Sequence, residues 1–179
     1  MDKEKITGSA EFTTDLANEA RAGSKEAFCR LYGMYKDNLY RYALYKLADP
    51  VLAEDAVSEC VLAAWKGIRK LKSADAFGSW IFRILHNVCA GMIRTEMADR
   101  ERVAKAGSEL ETTREESPSL SVELREALAQ LSDDEQEIVL LSVISGMNST
   151  EISSITGYAA GSVRSKLARS LAKMREFLS

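Results

Sequence analysis

Five residues near the C-terminus have side chains suited to holding nucleic acid: Ser162, Arg164, Ser165, Lys166 and Arg169. An arginine fork can bond guanine through two parallel donors, while lysine, serine and backbone amides chiefly hold phosphates. All five fall at the start of a basic segment whose apolar residues Val163, Leu167, Leu171, Met174 and Leu178 recur at helical spacing. Before it come a short helical stretch of about 149–156 and the turn Thr156-Gly157-Tyr158. Two helices joined by a glycine turn, the second basic, make a helix-turn-helix, whose second helix enters the major groove.

A second group lies mid-chain. The segment GIRKLKSADAFG (67–78) is a basic loop, followed closely by Trp80 and Phe82. Cations beside aromatic faces suit a groove for single-stranded bases, where stacking gives sequence-tolerant affinity. Phe77 and Trp80 also fall on an apolar stripe, so a place in the core is the plainer reading for both. Phe82 falls off that stripe.

Catalytic chemistry has no comparable footing. The one histidine, His86, sits mid-helix without a nucleophile or metal set beside it. No phosphate-loop, dinucleotide or nucleophile-elbow motif is present. Cys29, Cys60 and Cys89 are odd in number and lack a CxxC spacing. They read as small buried apolar side chains in a reducing compartment, rather than a disulfide framework or zinc site. The expectation is no enzyme, no catalytic residue, no metal and no cofactor.

The elements that must position the basic residues are nearly all helical. A short helix at about 15–22 is stopped by Gly23. Ser24 can cap the next, to about Leu47, with Phe28, Leu31, Tyr35, Leu39, Tyr42 and Leu47 on its apolar face. Asp49-Pro50 breaks it. A third helix, about 51–67, places Ala53, Val57, Val61, Ala64 and Trp65 on one side. A fourth begins near 75–77 with the stripe Phe77, Trp80, Ile81, Ile84, Leu85, Val88 and Met92. From about Glu96 to Pro118 the pattern fades into a polar linker, with frayed helix at its start. Structure resumes at VELREALAQL. Ser132–Glu135 reads as a capping box, Gly146 as a stop, and Asn148–Glu151 as a cap for the short helix. The last helix spans about Ala160 to Leu178.

Composition and charge agree with this layout. Of the 179 residues, 46% are hydrophobic and 28% charged, which excludes a wholly disordered chain. The net charge of −3 alone argues against a nucleic-acid binder, but it is an average. Residues 24–95 carry +4 and 138–179 carry +3, whereas 96–137 carry −8 and 1–23 carry −2. Two basic blocks flank an acidic middle, the footprint of a polyanion partner. The N-terminus is polar and no run approaches ~18 apolar residues, so a cytoplasmic protein without membrane insertion is expected.

The runs AFCRLYGMYKDNLYRYA (27–43), AEDAVSECVLAAWKG (53–67) and AFGSWIFRILHNV (76–88) resemble region 2 of bacterial RNA polymerase sigma factors of the extracytoplasmic-function (ECF) group. The run from Leu128 to Leu178 resembles region 4 of the same group. The resemblance implies an all-α chain of two small helical domains joined by a flexible linker: region 2 at 1–97, an acidic linker at 98–120 and region 4 at 121–179. It implies a transcription initiation factor that binds core RNA polymerase, directs it to −35/−10 promoters and assists melting. By that likeness Glu54, Asp55, Ser58 and Glu59 dock on core polymerase. Lys70, Lys72, Trp80, Arg83, Asn87 and Arg94 capture the −10 element as single-stranded DNA. Ser162, Arg164, Ser165, Lys166 and Arg169 read the −35 element. The expected partners are core polymerase, promoter DNA and an anti-sigma factor, with the free protein a monomer. The alternatives are a stand-alone helix-turn-helix regulator using 20–97 for ligand or dimer contacts, and a helical interaction module without DNA binding.

Overall fold

A computed structural model describes residues 3–105 and 122–179, with side chains from residue 11 onward. These residues form eight α-helices and two 3-10 turns, and no strand occurs among them. The first half holds α1 (Lys3–Arg21), α2 (Lys25–Leu47), α3 (Pro50–Gly67) and α4 (Phe77–Lys105), with the 3-10 turns at Ile68–Lys70 and Ala74–Ala76. The second half holds α5 (Val122–Ala129), α6 (Asp133–Val143), α7 (Ser149–Thr156) and α8 (Ala160–Leu178).

Local chemistry sets most of the boundaries. Ser24 caps α2 by accepting from the Ala27 amide. Helix α2 closes on Ala48, whose φ of 53° is the left-handed conformation that glycine usually takes. Asp49 accepts from the Val51 and Leu52 amides, and Pro50 stands in the first turn of α3, where its missing N–H costs nothing. Ser132 with Glu135 and Asn148 with Glu151 form reciprocal capping boxes at α6 and α7.

Two boundaries differ from the sequence expectation. Helix α1 begins at Lys3, far ahead of residue 15. Helix α4 runs 29 residues to Lys105, through a stretch expected to be linker from 98. The segment EMADRERVAK is rich in good helix formers, and the exposed pairs Glu96–Arg100 and Asp99–Arg102 add modest support at i,i+4 and i,i+3. The rest of the expected linker, through Ser119 and Leu120, lies outside the described residues.

The core of the first half forms where α2, α3 and α4 converge, with α1 laid across α2 and the 3-10 turns. Leu31, Leu39, Tyr42, Phe77, Ile81, Phe82 and Leu85 are fully buried there. Phe82, off the expected stripe, is thus a core residue. It faces α2 because that side of α4 is covered by Tyr42, with ring centroids 5.9 Å apart. The cysteine expectation also needs correction: Cys60 and Cys89 are buried but Cys29 is exposed, because it lies on the face of α2 turned away from the core. In the second half α5, α6 and α7 pack against α8, enclosing Ile138, Leu141, Ile152 and Val163. The buried face of α8 runs through Val163, Ser170 and Met174, with Leu167 at its edge, while Leu171 and Leu178 are exposed.

Candidate nucleic-acid and polymerase interfaces

The C-terminal group sits as the helix-turn-helix reading requires. Gly157, at φ 80°, ends α7 in the left-handed region and lets the chain turn sharply into α8. Ser162, Arg164, Ser165 and Arg169 are exposed on the first two to three turns of α8, while Val163 between them is buried. Arg169 donates to the Ser165 carbonyl at 3.3 Å, which holds its guanidinium along the helix. Lys166 is different: it is half-buried, and its ammonium lies 5.0 Å from the centroid of the Tyr158 ring. Tyr158 in turn donates to Asp134, so the turn, α6 and α8 are braced together. Hydrogen bonding to Asp134 raises the Tyr158 hydroxyl above its ordinary pKa, keeping it a donor. Lys173 reaches both oxygens of Glu135 at 3.1 Å. The Ser132 amide and Lys173 hold the Glu135 carboxyl below its usual range.

The mid-chain group divides in two. Lys70 and Lys72 are exposed on the loop, and Arg83, Asn87 and Arg94 are exposed on α4. Trp80 is half-buried, its ring centroid 5.8 Å from that of fully buried Phe77. It therefore serves the core and keeps an outer edge. Phe77 also meets Tyr35 at 5.5 Å and Phe28 at 6.5 Å, so the loop ends on an aromatic cluster. Arg83 is not free: its Nη2 donates to the Ser154 carbonyl on α7 at 2.9 Å.

Glu54, Asp55, Ser58 and Glu59 are all exposed on one side of α3. Glu59 and Asn87 line the same open groove of about 800 Å³ between α3 and α4, with Leu52, Ile84, Val88 and Met92 as its apolar floor. The carboxylate face and the basic face therefore adjoin along one edge.

One residue escapes sequence reasoning. Glu137 on α6 is buried, and all its polar partners come from the other half of the chain. Lys46 on α2 lies 2.7 Å from its Oε2, His86 Nδ1 on α4 lies 3.0 Å from its Oε1, and Tyr42 donates to Oε1. Burial pushes the Glu137 carboxyl up, but His86, Lys46 and Tyr42 outweigh it and hold the pKa at about 2. Burial also drives the Tyr42 hydroxyl well above its ordinary value, with the Glu137 carboxylate adding to it, so the phenol stays protonated and donates. The available signal was a carboxylate directly before the apolar run IVLLSVI.

No cluster of histidine, cysteine and carboxylates able to hold a metal occurs among the described residues, and no described helix is long and apolar enough to cross a membrane. Comparison with known proteins bears on the same two halves. The family model described as Sigma-70 region 2 matches residues 31–98, and that described as Sigma-70, region 4 matches residues 121–174. The ECF RNA polymerase sigma factor BldN of Streptomyces coelicolor is 31% identical over 172 residues, covering 89% of this chain and 64% of BldN's own length. The RNA polymerase sigma factor CarQ of Myxococcus xanthus is 27% identical over 163 residues, covering 88% and 92%. In fold the chain is similar to the sigma factor RpoE, solved in complex with the anti-sigma factor NepR from Bartonella quintana. That match has a TM-score of 0.69 at 24% identity and covers 84% of this chain and 96% of the other. With both sigma regions matched in order on an all-helical fold, the chain belongs to the ECF group of RNA polymerase sigma factors.

Proposed function

We propose that this protein is a transcription initiation factor. It binds core RNA polymerase, directs it to −35/−10 promoters and assists promoter melting. It works by binding rather than by catalysis, in the cytoplasm, as a monomer when free. The observation that carries this reading is the presence of both sigma regions on one chain, each presenting an exposed basic surface. A stand-alone regulator has no use for a second basic surface on a separate helical body.

The division of labour follows the geometry. Ser162, Arg164, Ser165 and Arg169 meet the −35 element, and the uncapped first turn of α8 leaves backbone amides to a phosphate. Lys166 acts through Tyr158, setting the angle of α8. Lys70, Lys72, Arg83, Asn87, Arg94 and the outer edge of Trp80 hold the −10 strand. Glu54, Asp55, Ser58 and Glu59 offer carboxylates to a basic element of core polymerase, and Glu59 fixes where polymerase ends and DNA begins along the shared groove. The bodies divide near 1–97 and 121–179 by sequence, with the helical spine of the first reaching Lys105. An anti-sigma factor is the expected inhibitor, as the similar RpoE is solved with one.

The test is promoter-specific transcription with purified core polymerase. The full chain should yield discrete transcripts, and Arg164→Ala should cut them roughly 5- to 100-fold, the value of one bidentate base contact at about 1–3 kcal/mol. Tight, polymerase-independent binding to a palindromic duplex would favour the stand-alone regulator instead.

A further inference from the structure

We infer that Glu137, with Lys46, His86 and Tyr42, forms an intramolecular latch that holds the −35-reading half against the −10-binding half and hides part of the latter. This rests on the promoter-reading function proposed above for its consequence, but not for the latch itself.

Among the described residues Glu137 is the one buried charged side chain. A buried carboxylate is costly unless it is paired and hydrogen-bonded. Every group that pairs it here belongs to the other half: Lys46 at 2.7 Å, His86 at 3.0 Å and the Tyr42 hydroxyl. Glu137 therefore contributes nothing to α6 alone that would explain its burial. It makes sense as part of a contact between bodies. The halves meet chiefly where α2 faces α6 and α4 faces α7. Arg83 to the Ser154 carbonyl, at 2.9 Å, is the second polar contact of that seam.

The chemistry of the seam suits reversal. When the halves part, a carboxylate, an ammonium and a guanidinium pass into water, which solvates each of them well. An apolar seam of the same size would resist opening. A polar one holds a defined geometry and releases it without leaving an exposed apolar face.

The closed form is incompatible with reading both promoter elements. Positions −35 and −10 lie about 25 base pairs apart, on the order of 85 Å at 3.4 Å per base pair. In the closed form α7 of the helix-turn-helix touches α4, and Arg83 is spent on Ser154. The halves must separate before both elements can be held, and separation frees Arg83 for the −10 strand.

The experiment uses the full chain carrying Glu137→Lys or Lys46→Glu, each placing like charges at the seam. Small-angle scattering reads the radius of gyration and circular dichroism reads helicity. The latch predicts a larger radius at unchanged helicity for both variants. An unchanged radius overturns it. Loss of helicity in Glu137→Lys assigns Glu137 to folding, and Lys46→Glu on the opposite half then decides: a larger radius sustains the latch and an unchanged one overturns it. In parallel, a fluorescent random-sequence 20-nucleotide single strand is titrated. The open variants should bind it severalfold more tightly, and Arg83→Ala should abolish the gain. An expanded protein with no gain overturns the masking of Arg83 while leaving the latch. Absence of single-strand binding in every variant counts against the −10 assignment alone.

Discussion

The Phe82 ring stands edge-on to the Tyr42 ring, at 5.9 Å and 85°. Phe82 is 1% exposed and Tyr42 fully buried, so the phenol cannot swing aside. Its hydroxyl is fixed where it meets both Glu137 and His86. Tyr42→Phe keeps this aromatic contact and deletes only the hydroxyl. The expected loss is about 1.5–3 kcal/mol, the value of a hydrogen bond to a charged group. Phe82→Ala should cost more, about 3–5 kcal/mol, by opening a cavity in the first half. Urea unfolding of both variants checks the order; equal losses would mean the hydroxyl counts for more than its bond.

Acid should loosen the two halves through Glu137. Its carboxyl is held at about 2 in the closed form, against an ordinary value of 4.5. A lowered pKa contributes stability that is full above the ordinary value and is lost as pH falls toward the lowered one. Lys46 and Tyr42 from α2, with His86 and Cys89 from α4, are the titratable groups around it. Thermal melts of the natural protein and Glu137→Gln, compared from about pH 6 down to about pH 2, should show a stability gap that narrows through this window. A gap independent of pH would remove the carboxylate from the account.

The thiols should separate cleanly. Burial pushes both Cys60 and Cys89 to a pKa of about 12, so neither offers thiolate near neutral pH. Cys29 is exposed. A chromogenic disulfide reagent should titrate one thiol in the native protein and three in denaturant. Fast reaction of a second native thiol would show that the helices around Cys60 and Cys89 open readily.

The buried face of α8 can be tested by neighbouring residues. Ser170 is fully buried and donates to the Lys166 carbonyl, whereas Leu171 is 37% exposed. Leu171→Ala should change stability by no more than about 0.5 kcal/mol. Ser170→Leu, overfilling the seam against the other helices, should cost about 1–3 kcal/mol. Chemical denaturation measures both, and the reverse order would restore the stripe expected from sequence.

Most of the fold was legible because local chemistry and the apolar pattern agreed. Ser24, Asp49, Ser132 and Asn148 cap where their types and spacing predict. The errors lie where a single signal was trusted. Helix α4 was ended where its apolar stripe faded, yet an exposed helix needs only good formers and charge pairs to continue. Phe82 was set aside because the stripe was drawn one-sided, whereas α4 is covered on two sides. Ser170 and Leu171 exchanged places because hydropathy outweighed register. The exposure of the α8 basic residues followed from helical spacing. The engagement of Lys166 with Tyr158, Arg83 with Ser154 and Glu137 with Lys46 did not, since pairs 8, 71 and 91 residues apart leave no trace in local periodicity.

The ten helical residues that α4 adds beyond Thr95 change how strongly the halves feel one another. The connection between bodies starts at Lys105 rather than near residue 98, so it is shorter. Partners on one chain meet at an effective concentration set by their tether, in the millimolar range for short ones and higher as the tether shortens toward the span. Closure through Glu137 is then indifferent to dilution. Any rival for that face, whether polymerase, promoter or inhibitor, competes against a neighbour that is always present.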